Sequence, residues 1–119
     1  HSQEAEVAAI SRSLKRLAKE LGVPVVALSQ LSRAPEGRAD KRPHLSDLRG
    51  SGSLEQDCDL AILLFRPELH QPKPENAGIA EVIVAKNRAG PTGVVRLYFR
   101  KHLAQFVGLS HPYGGDSVL

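Results

Sequence analysis

A basic turn between two apolar runs is the feature that most constrains the fold of this chain. Residues 79–84 and 94–99 both have the pattern of β-strands, so the segment between them is predicted to be the tip of a hairpin. Lys86 and Arg88 stand two residues apart, and the period of a strand directs both cations to the same side. The glycines and the proline that follow fix a tight turn. The tip is therefore a candidate anion site, although solvated charges on an edge hairpin would give the same pattern.

The first part of the chain has the pattern of an amphipathic helix. Within residues 4–21 the apolar side chains recur at spacings of three and four, which places them on one face: Val7, Ile10, Leu14, Leu17 and Leu21. Gly22 is predicted to cap this helix, and Pro24 prevents its continuation. Burying the apolar stripe, at about 1.5–3 kcal/mol for each side chain, would hold the helix against a larger body.

Two nearly continuous apolar runs have the pattern of buried strands. Residues 23–30 and 58–66 each predict a strand that is covered on both faces, which is typical of a parallel sheet. The hairpin follows the second run, and a last short strand is predicted around residues 105–107. The resulting fold class is α/β, with a sheet of parallel strands that ends in antiparallel hairpins and with one long amphipathic helix.

Polar segments beside these strands contain further candidate residues. Gln30 ends its strand, and ligands of open α/β sheets bind beyond the carboxyl ends of the strands, so Gln30 is a candidate nucleotide sensor. A glutamine that only hydrogen-bonds the backbone is the alternative. Residues 31–44 are polar and basic and contain two prolines, which predicts a mobile loop whose cations either contact phosphates or are solvated.

Residues 45–57 predict two short helical turns separated by a kink rich in glycine and serine. A serine followed three residues later by a glutamine has the spacing of a capping box that opens the second turn. Gly50 and Gly52 leave backbone N–H groups free to face an anion, and Arg49 adds a positive charge beside them. An interhelical turn with nothing bound is the alternative interpretation.

Composition excludes several classes of protein. The 119 residues are 24% charged and 41% hydrophobic, which is typical of a globular domain and not of a disordered or fibrous chain. A net charge of +3 gives a modest bias toward polyanions, while the scarcity of aromatic residues disfavours single-strand binding by base stacking. The single Cys58 cannot form an internal disulfide, and no apolar run is long enough to span a membrane, which indicates a cytoplasmic location.

The signatures of a self-contained enzyme are missing from the sequence. It contains no G-x-x-x-x-G-K-[ST] phosphate loop and no G-x-S-x-G nucleophile motif. The histidines are scattered and the one cysteine has no ligand cluster around it, so no metal site is predicted. What remains is a set of accessory parts for binding phosphates: Gln30, the turn at Arg49, and the pair Lys86 and Arg88.

Five motifs occur in a fixed order, at residues 6–21, 23–33, 38–43, 46–57 and 86–93. Together they resemble the C-terminal half of the ATPase domain of bacterial replicative DNA helicases of the DnaB type, and the resemblance extends to Val107. It implies a homohexameric ring of RecA-like (P-loop NTPase) domains that hydrolyses ATP, with Mg²⁺, between neighbouring subunits. Such a ring translocates 5′ to 3′ along single-stranded DNA and unwinds the duplex at the replication fork, with primase and a helicase loader as partners.

The resemblance also implies roles for individual residues. Lys86 and Arg88 match the K-x-R element that reaches the γ-phosphate held by a neighbouring subunit, with Arg88 as the arginine finger. Gln30 matches the residue that senses the γ-phosphate and links it to the DNA loops. The loop that grips the DNA backbone is matched by Arg49, Gly50 and Gly52. This chain departs from the family at Gly50, where Glu is usual, and at Cys58, where Ala is usual, so a side-chain contact expected at Gly50 is missing.

The same resemblance predicts the domain organisation. Residues 1–107 are expected to be the C-terminal portion of a RecA-like ATPase domain, and residues 108–119 a flexible tail. The phosphate loop (Walker A) and the catalytic glutamate and magnesium-binding aspartate (Walker B) are expected to precede Gln3, and the absence of Met indicates an upstream start. Such a fragment is expected neither to bind ATP tightly nor to hydrolyse it. Three alternatives stay open. One is a relative of RecA-like recombinases or of circadian-clock-type ATPases, another is a non-catalytic nucleic-acid-binding module built from the same half-fold, and the third is a purely structural or interaction fragment whose basic loops are solvated.

Overall fold

A four-stranded antiparallel sheet and two helices form the part of the chain that the computed structural model describes, residues 3–109. Helix α1 spans Gln3–Leu21 and α2 spans Ser51–Asp57. The strands follow in the order β1 (Leu60–Phe65), β2 (Ile79–Asn87), β3 (Gly93–Arg100) and β4 (Gln105–Gly108). Each strand pairs with the next along the chain, so the sheet is a simple meander. Short 3-10 turns lie at Ala34–Gly37, Leu45–Asp47, Pro67–Leu69 and Pro74–Asn76.

The predicted hairpin is confirmed, and its tip is fixed chiefly by one side chain. β2 and β3 pair antiparallel from Ile79 opposite Tyr98 to Val84 opposite Gly93. At the tip the Asn87 amide donates to the Pro91 carbonyl (3.2 Å), and its oxygen accepts from the Ala89 N–H (3.2 Å). Asn87 therefore makes the turn rigid, whereas the sequence-based prediction attributed its rigidity to glycine and proline alone.

β1 forms as predicted, but it is covered on one face only and pairs antiparallel with β2. Ala61, Leu63 and Phe65 are buried, whereas the alternating residues Leu60, Ile62 and Leu64 are at least 51% exposed. The buried apolar side chains lie on β1, at the start of β2 and on β4: Ala61, Leu63, Phe65, Ile79, Ala80 and Val107.

The structure contradicts the strand predicted at residues 23–30. This segment is irregular and exposed throughout, with Val26 at 89% and Leu28 at 99% exposure. The physical reason is that a strand needs a neighbour to accept its hydrogen bonds and cover its faces, and no strand in the described range lies beside it. All four strands of residues 3–109 are antiparallel, so the predicted parallel strands are not found there.

α1 ends as predicted, but only part of its apolar stripe is covered. Gly22 adopts φ +63°, and the Val23 N–H donates to the Ala18 carbonyl (3.1 Å), a glycine-terminated helix end. The apolar stripe is mostly uncovered, with Ile10 at 59% exposure. Ser11 is the buried residue of the helix, and its hydroxyl donates to the Asp57 carboxylate of α2 (2.8 Å). The helix thus rests on α2 through a polar contact at Ser11 and through Val7, which lies against Gly50.

Two bidentate ion pairs hold the segment that was predicted to be a mobile loop. The Arg38 guanidinium donates to both carboxylate oxygens of Asp47 (2.5 and 2.8 Å), and Asp47 is only 2% exposed. Arg42 donates in the same way to the buried Glu81 of β2 (3.0 and 2.7 Å) and lies over the Phe65 ring. Planar guanidinium and carboxylate groups fit each other in this geometry, so these two arginines fix the loop.

Gly50 precedes α2 in a conformation that a residue with a side chain would adopt only with strain. Its φ is +67°, in the left-handed region, and a Cβ there would lie 2.7 Å from Cβ of Val7 on α1. The side chain of Val7 is short and branched, so it cannot move aside easily. The predicted capping box is wrong, because α2 starts at Ser51 with Gly50 as its N-cap, and Ser53 lies inside the helix.

Gly50→Ala is expected to lower the free energy of unfolding by about 2 kcal/mol or more. Two effects contribute: backbone strain of a non-glycine residue in the left-handed region, and the steric clash of the new Cβ with Val7. Gly52→Ala is the matched control two residues away, because nothing lies within 4 Å of the position of its Cβ. That control is expected to be neutral or to stabilise by up to about 1 kcal/mol through helix propensity. Urea unfolding of both variants measures the difference, and equal effects would contradict this account of Gly50.

Asp47→Asn is expected to lower the free energy of unfolding at pH 7. It is also expected to reduce the loss of that free energy on acidification. The hydrogen bonds from Arg38, helped by the His44 backbone N–H, lower the pKa of Asp47 in the folded chain. The stabilisation is therefore complete above the unfolded value of about 3.9 and is lost as pH falls through the lower folded pKa. The gap in unfolding free energy between wild type and variant should narrow below about pH 4. The exposed Glu36, replaced by Gln, should show no such narrowing.

Candidate functional site

Lys86 and Arg88 lie on the same side of the hairpin, as predicted, and both contact the C-terminal end of α2. The Lys86 ammonium donates to the carbonyls of Glu55 (2.5 Å) and Gln56 (3.2 Å). The Arg88 guanidinium donates to the carbonyls of Gln56 (3.0 Å) and Cys58 (3.4 Å). The last carbonyls of a helix have no partners within the helix and carry partial negative charge, so two cations are well placed there.

A β-bulge helps to aim these two side chains. Ala61 of β1 lies opposite Lys86, but the next residue, Ile62, lies opposite Val84, so Ala85 is an extra residue in β2. A bulge bends its strand and increases the local twist. The Arg88 N–H, just after the end of β2, donates to the carbonyl of Asp59, just before the start of β1 (2.8 Å), which extends the pairing by one residue on each strand.

Asp59 is a member of this cluster that the sequence did not reveal. Its Oδ1 accepts from the Arg88 guanidinium (2.6 Å) and from the Lys15 ammonium of α1 (2.7 Å). The hydrogen bond from Lys15, with the charges of Lys15, Arg88 and Lys86, lowers the pKa of Asp59. The sequence signal was an acidic residue just before a buried strand, which has many ordinary explanations. Only the fold brings the two cations to it.

A shallow open cleft separates α1 from the hairpin tip. Its lining residues are Lys15, Ala18, Lys19, Asp59 and Arg88. Three cations and one carboxylate leave this cleft net positive, and the Arg88 side chain is 51% exposed. The arrangement suits an anion with several oxygens, such as a phosphate group.

Gln30 and Arg49 meet through their backbones rather than their side chains. The Arg49 N–H donates to the Gln30 carbonyl (3.2 Å), next to a bridge between Leu31 and Leu48. Both residues are exposed, and within residues 3–109 neither side chain makes a hydrogen bond or ion pair. Their polar groups are therefore open to an external partner.

The predicted site residues fall into two groups at opposite ends of α2. Arg49, Gly50 and Gly52 lie at its start with Gln30, and the pair Lys86 and Arg88 lies at its end. No hydrogen bond joins Gln30 to Lys86 or Arg88 in the described part of the chain. The structure therefore brings the members of each group together and keeps the two groups apart.

Residues 3–109 offer no ready metal site and no membrane span. No group of three or more histidine, cysteine, aspartate or glutamate side chains in that range could hold a metal ion. No helix in the same range is long and apolar enough to cross a bilayer.

Comparison with known proteins gives a match over most of the chain. Residues 1–108 match the family described as DnaB-like helicase C terminal domain. The replicative DNA helicase DnaB of Pasteurella multocida is 57% identical over 105 residues, covering 88% of this chain and 22% of that protein. The corresponding protein of Geobacillus stearothermophilus is 52% identical over 112 residues, covering 94% of this chain and 25% of that protein. The chain thus spans about a quarter of the length of these relatives.

Solved structures agree with the sequence match. One of them, an ATPase domain, superimposes with a TM-score of 0.87 and 51% identity, over 92% of this chain and 38% of that one. A DnaB-like replicative helicase, described with its interactions with primase, gives the same TM-score and identity over 92% of this chain and 26% of that one. An identity above one half over nearly all of residues 1–108 leaves no doubt about descent: the chain belongs to the family of DnaB-like helicase C-terminal domains.

Proposed function

We propose that this chain is part of a ring-shaped hexameric replicative DNA helicase that couples ATP hydrolysis to 5′ to 3′ translocation on single-stranded DNA and to unwinding at the replication fork. Its family and the names of its relatives support this function. The single observation that carries it is the pair of cations, Lys86 and Arg88, held on a fixed hairpin tip beside a positively charged cleft.

The domain that contains this chain is proposed to be RecA-like. In that arrangement residues 1–107 are the C-terminal portion of the ATPase domain, and parallel strands outside the described residues continue the sheet. The exposed faces of β1 and α1 are consistent with such a continuation. Of the tail predicted at residues 108–119, Gly108 ends β4 and residues 110–119 lie outside the described range.

Arg88 is proposed to act as an arginine finger on a nucleotide that a neighbouring subunit holds, with Lys86 beside it. Hydrolysis of ATP develops negative charge on the γ-phosphate oxygens, and a fixed cation lowers the energy of that state. The Arg88 side chain lines the cleft and is 51% exposed, so its charge remains partly hydrated and accessible.

The nucleotide is proposed to be ATP with Mg²⁺, bound mainly by residues that this sequence does not contain. The sequence has no phosphate loop, and the described residues provide no acidic ligand set that fits a metal ion. The 119-residue chain alone is therefore proposed not to hydrolyse ATP. Its contribution is the positive charge of Lys86 and Arg88.

Single-stranded DNA is proposed to contact the start of α2. Within residues 3–109 the guanidinium of Arg49 has no partner, and nothing lies within 4 Å of the position of a Cβ at Gly52, which leaves room for a phosphate to approach the backbone there. Gly50 is proposed to contribute through its backbone, since the space beside it is taken by Val7. Gln30 is joined to Arg49 by a backbone hydrogen bond (3.2 Å), which supports its proposed role as a link between γ-phosphate and DNA. Primase, a helicase loader and five further copies of the chain are the proposed partners, in the cytoplasm.

Arg88→Ala in the full-length protein is expected to reduce ATP hydrolysis by about 10³-fold, because the transition state loses a fixed cation. ATP binding and hexamer formation should change little. Steady-state hydrolysis, nucleotide titration and light scattering measure these quantities, and Arg33→Ala, at an exposed arginine outside the K-x-R element, is the control. If Arg88→Ala leaves ATP hydrolysis unchanged and only weakens DNA binding, the result would contradict the arginine finger and favour the non-catalytic nucleic-acid-binding module.

Arg49→Ala is expected to weaken binding of a single-stranded oligonucleotide and to make it less sensitive to salt. Each phosphate contact to single-stranded DNA contributes about 0.7 to the slope of log affinity against log salt concentration, so that slope should become shallower by about 0.7 for each subunit bound. Lys73→Ala is the control, since Lys73 is exposed and remote from α2. Identical slopes for Arg49→Ala and wild type would contradict the DNA contact.

A further inference from the structure

We infer that Asp59 is the positioning residue for Arg88, and that Lys15 is the counter-cation that keeps the carboxylate of Asp59 from cancelling the charge of Arg88. The inference rests on the proposed role of Arg88 as an arginine finger. It assigns a function to two residues that lie outside the K-x-R element.

Asp59 holds Arg88 at both ends. Its carbonyl accepts the Arg88 backbone N–H (2.8 Å), and its Oδ1 accepts the Arg88 guanidinium (2.6 Å). The backbone contact fixes where the residue leaves the strand, and the carboxylate contact fixes where the long side chain ends. An arginine side chain has several rotatable bonds. Fixing both of its ends removes most of its conformational freedom and so holds its charge in one position.

The remaining contacts of Arg88 leave part of its guanidinium available. Arg carries five N–H donors, and those with partners are one on Nη1, to Asp59, and two on Nη2, to the carbonyls of Gln56 and Cys58. The Nε donor and the second Nη1 donor make no such bond within the described residues. Two donors can therefore face a phosphate while the other three keep the group in place.

Lys15 approaches the same carboxylate oxygen from the other side of the cleft. Its ammonium donates to Asp59 Oδ1 (2.7 Å) and to the Asp57 carbonyl (2.9 Å). The carboxylate is thus shared by two cations, so the cluster keeps a net positive charge. Without Lys15, Asp59 would pair with Arg88 alone and the field that the tip presents to an anion would weaken. Lys15 also joins α1 to the end of α2, so it places the cleft wall relative to the tip.

Asp59→Asn in the full-length protein provides the first test. We expect kcat for ATP to fall about tenfold with KM changed less than about twofold, because a misplaced finger affects the transition state and not ground-state binding. In the background of Arg88→Ala the same substitution should cause little further loss, since the residue that it positions is already gone. The control is Glu36→Gln, which removes an exposed carboxylate paired with Arg33 far from α2.

Lys15 provides a second test that does not depend on the stability of Asp59→Asn. Lys15→Ala is expected to lower kcat about threefold to tenfold, and Lys15→Arg to restore most of it, since Arg can still donate to the Asp59 carboxylate. Melting temperatures of all variants are measured alongside, because a purely structural contact would lower the melting temperature and leave kcat of the folded protein unchanged.

The outcomes separate this inference from the function on which it rests. If Arg88→Ala abolishes hydrolysis while Asp59→Asn leaves kcat unchanged, the positioning role is wrong and the arginine finger stands. If the losses from Asp59→Asn and Arg88→Ala multiply, Asp59 acts independently of Arg88 and the inference is again overturned. If Arg88→Ala itself leaves hydrolysis unchanged, both the finger and its positioning residue are wrong.

Discussion

The capping of α2 by cations from other elements is the interaction on which the arrangement depends. Lys86 and Arg88 reach its last carbonyls from the hairpin, and Lys15 reaches the Asp57 carbonyl from α1. A helix of seven residues is too short to be stable by itself. Lys15 and Arg88 both stabilise α2 and line the cleft, so the same charges serve the packing of this region and its proposed chemistry.

Paired charges also replace apolar packing elsewhere in the chain. The apolar core is small, and residues 31–48 are held by Arg38 on Asp47 and Arg42 on Glu81. Ion pairs of this kind add less net stability than a hydrophobic contact of equal size, but their bidentate geometry permits one arrangement and disfavours others. The segment between Gln30 and Arg49, two members of the same group of site residues, is therefore defined in position without a large core beneath it.

Local signals in the sequence predicted the hairpin, the end of α1 at Gly22 and the side on which Lys86 and Arg88 lie. Each depends on a few neighbouring residues, such as strand period or a glycine after an apolar stripe. The prediction of a strand at residues 23–30 was wrong. An apolar run indicates that the segment is suited to burial, but it does not show which element of the fold will cover it. Asp59 was missed for a related reason: its partners are 29 and 44 residues away along the chain. The bulge at Ala85 likewise arises only when β1 and β2 pair.

The two groups of candidate residues were predicted from separate motifs, yet they share one support. Arg49 and Gly50 precede α2, and Lys86 and Arg88 bind its final carbonyls, with only the seven residues of the helix between. At about 1.5 Å per residue, the helix separates the groups by about 10 Å. The backbone hydrogen bonds of the helix connect its two ends, and Gly50 lies against Val7 of α1 at its start. A displacement of α2 would therefore change the surroundings of Arg49 and of Arg88 together, whereas a flexible connection would leave them independent.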